Sequence, residues 1–261
     1  MVVNKHQGKP VGSFDIDGTF IRDSLFIYLT KALCDLGIFP VNAFAEKHIV
    51  SISKSRWENR LESYDVYIQA VADFFFENIG GVEQHVVQEI ANNILKERYR
   101  HVNVFTRELF QISKESYCTV AVTGSQFEMV SAFQKYWPFD LILSTELETQ
   151  HGNYTGKVAA RPLSNKIAAL QDVVALNGLV FDKSFHVGDS EGDISVMRRV
   201  ETPICYNPND LLYLEAAENN WIVVIERKNL IMILQDHKAS PVFLRTHNKR
   251  ALRNYIRQLL G

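Results

Sequence analysis

Cysteine is scarce in this chain of 261 residues, which has three, Cys34, Cys118 and Cys205, far apart and never as a Cys-x-x-Cys pair. Neither a disulfide framework nor a cysteine-based zinc site is expected, and a reducing compartment, the cytoplasm, fits best. Long apolar runs are missing too. The opening MVVNKHQGKP is polar, and no stretch approaches the ~20 apolar residues that span a bilayer, so no membrane span is expected. An excess of one charge is also lacking: the formal net charge is -2, which predicts no general attraction to nucleic acid or to acidic membranes. Repeats and low-complexity tracts are absent. What is present, 46% apolar and 22% charged residues, is ordinary for a soluble globular protein, and the length suffices for one large domain or a core with a sizeable insertion.

An apolar run from Val11 to Ile16 ends in carboxylates and a Gly-Thr pair, the composition of a buried strand delivering acidic groups to a loop. Tyr117 to Val122 reads as a second buried strand that leads through Thr-Gly-Ser into a helix patterned on Phe127, Val130, Phe133 and Tyr136. Further strands are expected at Asp140 to Leu143, Ser184 to Val187, Thr202 to Tyr206 and Trp221 to Ile225. Helices are expected at Ser164 to Leu176, Asp193 to Arg199 and Asn209 to Glu218. This alternation predicts an α/β fold, a parallel sheet with helices on both faces. The hundred or so residues between the first two strands are too many for one crossover and should form a helical cap. Within it Trp57, Leu61, Tyr64 and Ile68 recur at helical spacing, as do Val71, Phe74 and Phe75 before the Gly80-Gly81 break, and most of these aromatics read as cap core. Glu146 to Val158, with turn signals at Gly152-Asn153 and Thr155-Gly156, reads as a small hairpin or flap. The expected division is a catalytic core of residues 1–19 and 112–261 with a cap at 20–111.

The chemistry is concentrated in two acidic loops. A carboxylate can attack a phosphate ester in line and give an acyl phosphate that water then hydrolyses. In Phe14-Asp15-Ile16-Asp17-Gly18-Thr19, Asp15 at the strand end is the candidate nucleophile. Asp17, two positions on, can offer its carbonyl to a metal and its side chain as general acid and base. The repulsion between carboxylate and phosphate calls for a hard divalent ion on oxygen ligands, Mg2+. The second loop, His186-Val187-Gly188-Asp189-Ser190-Glu191-Gly192-Asp193, follows another apolar strand and suits metal ligation by Asp189 with support from Asp193. Thr123-Gly124-Ser125 offers a hydroxyl and backbone amides to phosphate oxygens, or an N-cap to the next helix. Lys166 supplies a point charge that could reach the phosphate, or merely a solvated helix position.

In order and context these pieces resemble the haloacid dehalogenase superfamily, whose four signatures match Asp15-x-Asp17-Gly18-Thr19, Thr123, Lys166 and Gly188-Asp189-Ser190-x-x-Asp193. The insertion after the first signature, and Glu146-Leu147-Glu148 followed by Gly152 and Thr155-Gly156, resemble the phosphoserine phosphatase-like branch. The resemblance implies a Rossmann-like core and a phosphoaspartate intermediate. It implies magnesium held by Asp15, the Asp17 carbonyl and Asp189, Thr123 and Lys166 on the phosphate, and Asp193 orienting Lys166 or a metal-bound water. One departure bears on substrate. Where that branch carries an amine-recognising glutamate, Ile21-Arg22-Asp23-Ser24-Leu25 places Ser24, which argues against L-phosphoserine. A small phosphorylated amine or alcohol is expected instead, with Arg22, Asp23, Ser24 and the cap residues Arg56 and Trp57 as candidate selectors.

A phosphotransferase or mutase would use the same phosphoaspartate and pass it to an alcohol. A receiver-type switch would also use a strand-end Asp, a hydroxyl, a Lys and magnesium, but Asp17 is placed to hasten hydrolysis and a large cap would obstruct docking. His186 reads as a hydrogen-bonded core histidine. The basic segment Leu244 to Leu260 reads as a solvated helix face, with an anionic surface as the other reading.

Overall fold

A large ring can lie over the neighbouring strand only where that strand lacks a side chain, and Gly12 marks such a place: a Cβ there would lie 2.5 Å from the Phe185 ring. In the computed structural model, which describes residues 6–261, Gly12 lies on strand β1 (Pro10–Phe14) and Phe185 on its neighbour β5 (Val180–Gly188). After β1 come helices α1 (Leu25–Asp35), α2 (Ile49–Glu58), α3 (Tyr64–Asn78), α4 (Gln84–Arg98) and α5 (Val104–Ser113). Strand β2 (Cys118–Gln126), helix α6 (Phe127–Gln134), strands β3 (Leu141–Gln150) and β4 (Asn153–Ala160) and helix α7 (Lys166–Leu176) lead to β5. The chain ends with α8 (Ile194–Met197), β6 (Thr202–Tyr206), α9 (Asp210–Asn219), β7 (Ile222–Arg227), β8 (Leu230–Leu234), β9 (Val242–Arg245) and α10 (Lys249–Leu259).

The strands form one sheet in the order β4-β3-β2-β1-β5-β6-β7-β8-β9. From β3 to β7 every pairing is parallel, and the outer pairs β3–β4, β7–β8 and β8–β9 are antiparallel. This is the parallel-sheet α/β fold with a helical insertion that the alternation implies. β1 lies centrally, with Phe14 paired to Ala121 of β2 on one side and Val187 of β5 on the other. The Phe14 ring packs edge-on against Phe20, Phe110, Phe139 and Phe185, which seats the strand end in an aromatic core.

Three readings need correction. The spacing of Trp57, Leu61, Tyr64 and Ile68 does not mark one helix. α2 ends at Glu58, Arg60 takes a positive φ of 62°, and α3 restarts at Tyr64 with Leu61 exposed between them. The helix expected from Asp193 to Arg199 is a 3-10 turn at Glu191–Asp193 followed by the short α8. Strands β8 and β9 went unread, and the basic tail divides between β9 and α10. Leu252 and Ile256 of α10 are buried, α10 packs on α5, and Arg253 bonds Glu108 at 2.5 Å. The flap is present as β3 and β4, turning at His151-Gly152. It is stitched to the insertion by Gly81 N–H to the Tyr154 carbonyl (2.8 Å) and Gln84 N–H to the Gly152 carbonyl (2.9 Å).

Candidate active site

Register assembles the site. Asp15 lies one residue past the Phe14 pairing, Thr123 two past Ala121 and Asp189 two past Val187, so three adjacent parallel strands deliver them to the same edge of the sheet. Asp15 N–H donates to the Val187 carbonyl at 2.9 Å, extending the β1–β5 ladder to the acidic residue itself. From the far side, Asn165 caps the start of α7 through the Ala168 N–H (3.1 Å) and so aims Lys166 inward. The Lys166 ammonium donates to Asp15 Oδ1 at 2.9 Å and to Asp193 Oδ1 at 2.7 Å, and all three side chains are buried. Lys166 is thus no solvated helix residue.

The two loops interlock through glycines. Gly18 has φ +77°, and a Cβ there would lie 2.1 Å from Asp189 Oδ2; at Gly188 a Cβ would fall 2.2 Å from Asp193 Cγ. The turn after Asp17 is pinned by α5, since Asn103 Nδ2 donates to the carbonyls of Gly18 (3.2 Å) and Thr19 (2.8 Å) and Thr106 Oγ1 to that of Thr19 (3.1 Å). Glu226, in turn, accepts from the free N–H groups of Val104 (3.0 Å) and Phe105 (2.9 Å) at the α5 N-terminus. Asp17 turns its carboxylate toward β2: Oδ2 accepts from Thr123 Oγ1 (3.0 Å) and Ser125 Oγ (2.6 Å), and Oδ1 from the Leu25 N–H. Thr123 therefore faces Asp17, while Gly124 and Ser125 line the adjoining cavity.

Burial raises the Asp15 carboxyl to about 7, against the pull of Lys166. It likewise raises Asp17, offset in part by Ser125, and carries Asp189 well above the usual carboxylate range, with Asp15 and Asp193 adding to the effect. Burial opposes charge on Asp193 as well, yet Lys166 and His186 hold its carboxyl well below the ordinary value. For Lys166 desolvation is outweighed by Asp15 and Asp193, so it keeps its proton. Asp15, Asp189 and Asp193 each bring an oxygen within 4.8 Å of the others. A buried set of hard oxygen donors with more negative charge than Lys166 can offset fits Mg2+.

Asp15 and Asp189, but not the fully buried Asp193, open onto a cavity of ≈ 840 Å³. It is lined from the core by Asp15, Asp17, Lys166 and Asp189, and from the insertion by Trp57, Arg60, Tyr64 and Ile68. Arg22, Asp23 and Ser24 also line it. Ser24 N-caps α1 through the Ile27 N–H (3.3 Å), and Asp23 bonds the Tyr28 hydroxyl. Arg56 pairs instead with Glu62 on the surface. His186 is a hydrogen-bonded core histidine, as its apolar strand suggests, but with consequential partners: Nε2 meets Asp193 Oδ1 at 3.0 Å and Nδ1 meets Ser13 Oγ at 2.8 Å. Ser125, Asn103 and Arg161, which also lines the cavity, were missed. Ser125 had a signal, its place in Thr-Gly-Ser; the other two had none.

A family model described as haloacid dehalogenase-like hydrolase matches residues 13–198. A histidinol-phosphatase of Neisseria meningitidis serogroup C is 34% identical over 194 residues, covering 72% of this chain and 76% of that one. Among solved structures, a protein of unknown function from Bordetella pertussis Tohama I superposes with a TM-score of 0.68 at 18% identity, over 84% of this chain and 99% of the other. A phospho-aspartyl intermediate analogue of phosphoserine phosphatase gives 0.55 at 14% identity, over 85% and 95%. These two likenesses carry the fold.

Proposed function

The chain belongs to the haloacid dehalogenase-like hydrolases and is an enzyme of the phosphatase kind, and on that premise we propose that it hydrolyses a small phosphate monoester through a phosphoaspartate on Asp15. The observation that carries this is the buried Asp15–Lys166–Asp193 array at the cavity floor, with Asp17 two residues from Asp15. Lys166 and the Gly124 amide bind phosphoryl oxygens, and Thr123 holds Asp17. An Asp15 oxygen forms a bond to phosphorus as the ester oxygen leaves. Asp17, whose affinity for a proton is raised by burial, protonates that oxygen. As a carboxylate it then takes a proton from the water that opens the acyl phosphate, which frees Asp15 and releases inorganic phosphate. Asp15, Asp189 and the Asp17 carbonyl would hold Mg2+, which supplies positive charge against the phosphoryl oxygens. Asp193 positions Lys166.

In this reading residues 20–111 are the cap over a core of 1–19 and 112–261. α5, packed on β2 and α10, anchors it, α1 to α3 line the cavity, and α4 packs against α1 and α6. Among the described residues no helix is long and apolar enough to cross a membrane, and the buried thiols Cys34, Cys118 and Cys205 suit the cytoplasm. Arg22, Asp23 and Ser24 are proposed to face the organic part of a phosphorylated metabolite. Histidinol phosphate is the first compound to assay, since the Neisseria relative is named for it. Phosphate release from a panel of esters, with and without magnesium, tests the proposal; no release from any ester by folded, magnesium-loaded protein would overturn it.

A further inference from the structure

Helix α3 shows two faces. Val71, Phe74 and Phe75 are buried in the insertion's core and do not line the catalytic cavity, whereas Tyr64, Ile68, Ala72 and Phe76, at four-residue steps, line it together with the buried Tyr67. At the end of that stripe three rings form a corner. Tyr67 is 2% exposed and forms its base; Trp57 lies over it with ring centroids 5.6 Å apart and planes 11° apart. Tyr64 stands edge-on to Trp57 at 5.1 Å and 62°, and to Tyr67 at 6.1 Å and 73°. Tyr67 belongs to the insertion's apolar core and Trp57 packs on it, while Tyr64 lies outside that core, 39% exposed. An aromatic residue held half open at a cavity wall, with its partners already ordered, is poised to gain contact from a ligand.

The corner is also close to the reaction centre. Trp57, Tyr64 and Tyr67 line the same cavity as Asp15, Asp17, Ser24 and Asp189. A group joined to a phosphate at Asp15 therefore shares its cavity with these rings. Building on the phosphatase reading, we propose that Trp57 and Tyr64 form a ring-binding subsite that selects phosphate monoesters whose alcohol carries a flat aromatic or heteroaromatic ring.

The test compares two pairs of compounds that differ only in the ring: benzyl and butyl phosphate as substrates, and benzyl- and butylphosphonate as non-hydrolysable ligands. In wild-type protein with magnesium, benzyl phosphate is expected to have a kcat/KM at least about fivefold higher, and benzylphosphonate to bind about fivefold tighter, within the range of one aromatic pair. Benzylphosphonate should also quench tryptophan fluorescence. In Trp57→Leu and Tyr64→Leu both ratios should fall toward 1, and Trp57→Phe should keep them. Equal affinities for the two phosphonates would overturn the subsite, as would a ratio unchanged in the leucine variants or an equal loss on both compounds. If neither ester is cleaved, the phosphonate affinities still decide the subsite, and the ester panel decides the phosphatase reading separately.

Discussion

At the residue scale, Lys166 is the clearest instance of a position whose surroundings decide its meaning. In the sequence it opens a helix after Pro162 and is indistinguishable from a solvated lysine; in the fold its ammonium lies buried between Asp15 and Asp193. Lys166→Met should lower stability by roughly 3–5 kcal/mol, because two carboxylates lose their buried counter-charge, and should lower turnover by at least about a hundredfold. Thermal unfolding and ester hydrolysis measure these separately, and wild-type values for both would remove Lys166 from the account. Asp17→Asn carries a different expectation. It cannot deprotonate the incoming water, so a phosphoenzyme formed from an ester with a good leaving group should decay about a hundredfold to ten-thousandfold more slowly. Rapid-quench measurement of bound phosphate gives that rate, and decay at the wild-type rate would assign the base elsewhere.

At the element scale, the β1 turn depends on contacts from a helix about eighty residues further along the chain. Asn103, at the start of α5, donates to the Gly18 and Thr19 carbonyls that follow Asp17. Asn103→Ala leaves those acceptors unpaired and should destabilise the protein by about 1–3 kcal/mol. It should lower kcat more than it raises KM, because the turn carries Asp17 and not the outer cavity wall. A loss confined to KM would contradict this. Elements were legible where one physical signal ruled. The strand that ends just before Asp15, the one that carries Thr123 and the one that leads to Asp189 each contain an apolar run ahead of polar residues, and β6 matches its expected span of Thr202–Tyr206. Legibility failed where the signal was shared. Trp57 and Tyr64 follow a helical period across a turn, because residues from two helices pack on one corner. β8 and β9 are short antiparallel additions at the sheet edge, whose five and four residues resemble loop with scattered apolar groups.

At the scale of the whole molecule, the division of labour follows the chain's layout. The parallel sheet gathers carboxylates from loops far apart in sequence, and the insertion between β1 and β2 covers the resulting cavity. The sheet was readable because its alternation is periodic. The cap's pairing with the flap was not, since the hydrogen bonds joining Gly81 and Gln84 to Tyr154 and Gly152 are between backbone groups and leave no trace in residue type. Several buried carboxylates around one ammonium also predict a stability effect. Magnesium at about 100 times its dissociation constant should stabilise the fold by about 2.7 kcal/mol, a rise of roughly 5–10 °C in Tm. Chelation should reverse it and Asp189→Asn should abolish it; an unchanged Tm in wild-type protein would argue against the metal. The central claim is that Asp15 carries the phosphoryl group. It is tested most directly by quenching the enzyme during turnover, trapping the acyl phosphate with hydroxylamine or borohydride, and locating the modified residue by peptide mass spectrometry. The account predicts modification at Asp15 alone, absent together with all turnover in a folded Asp15→Asn variant. Modification elsewhere, or turnover by that variant, would contradict it.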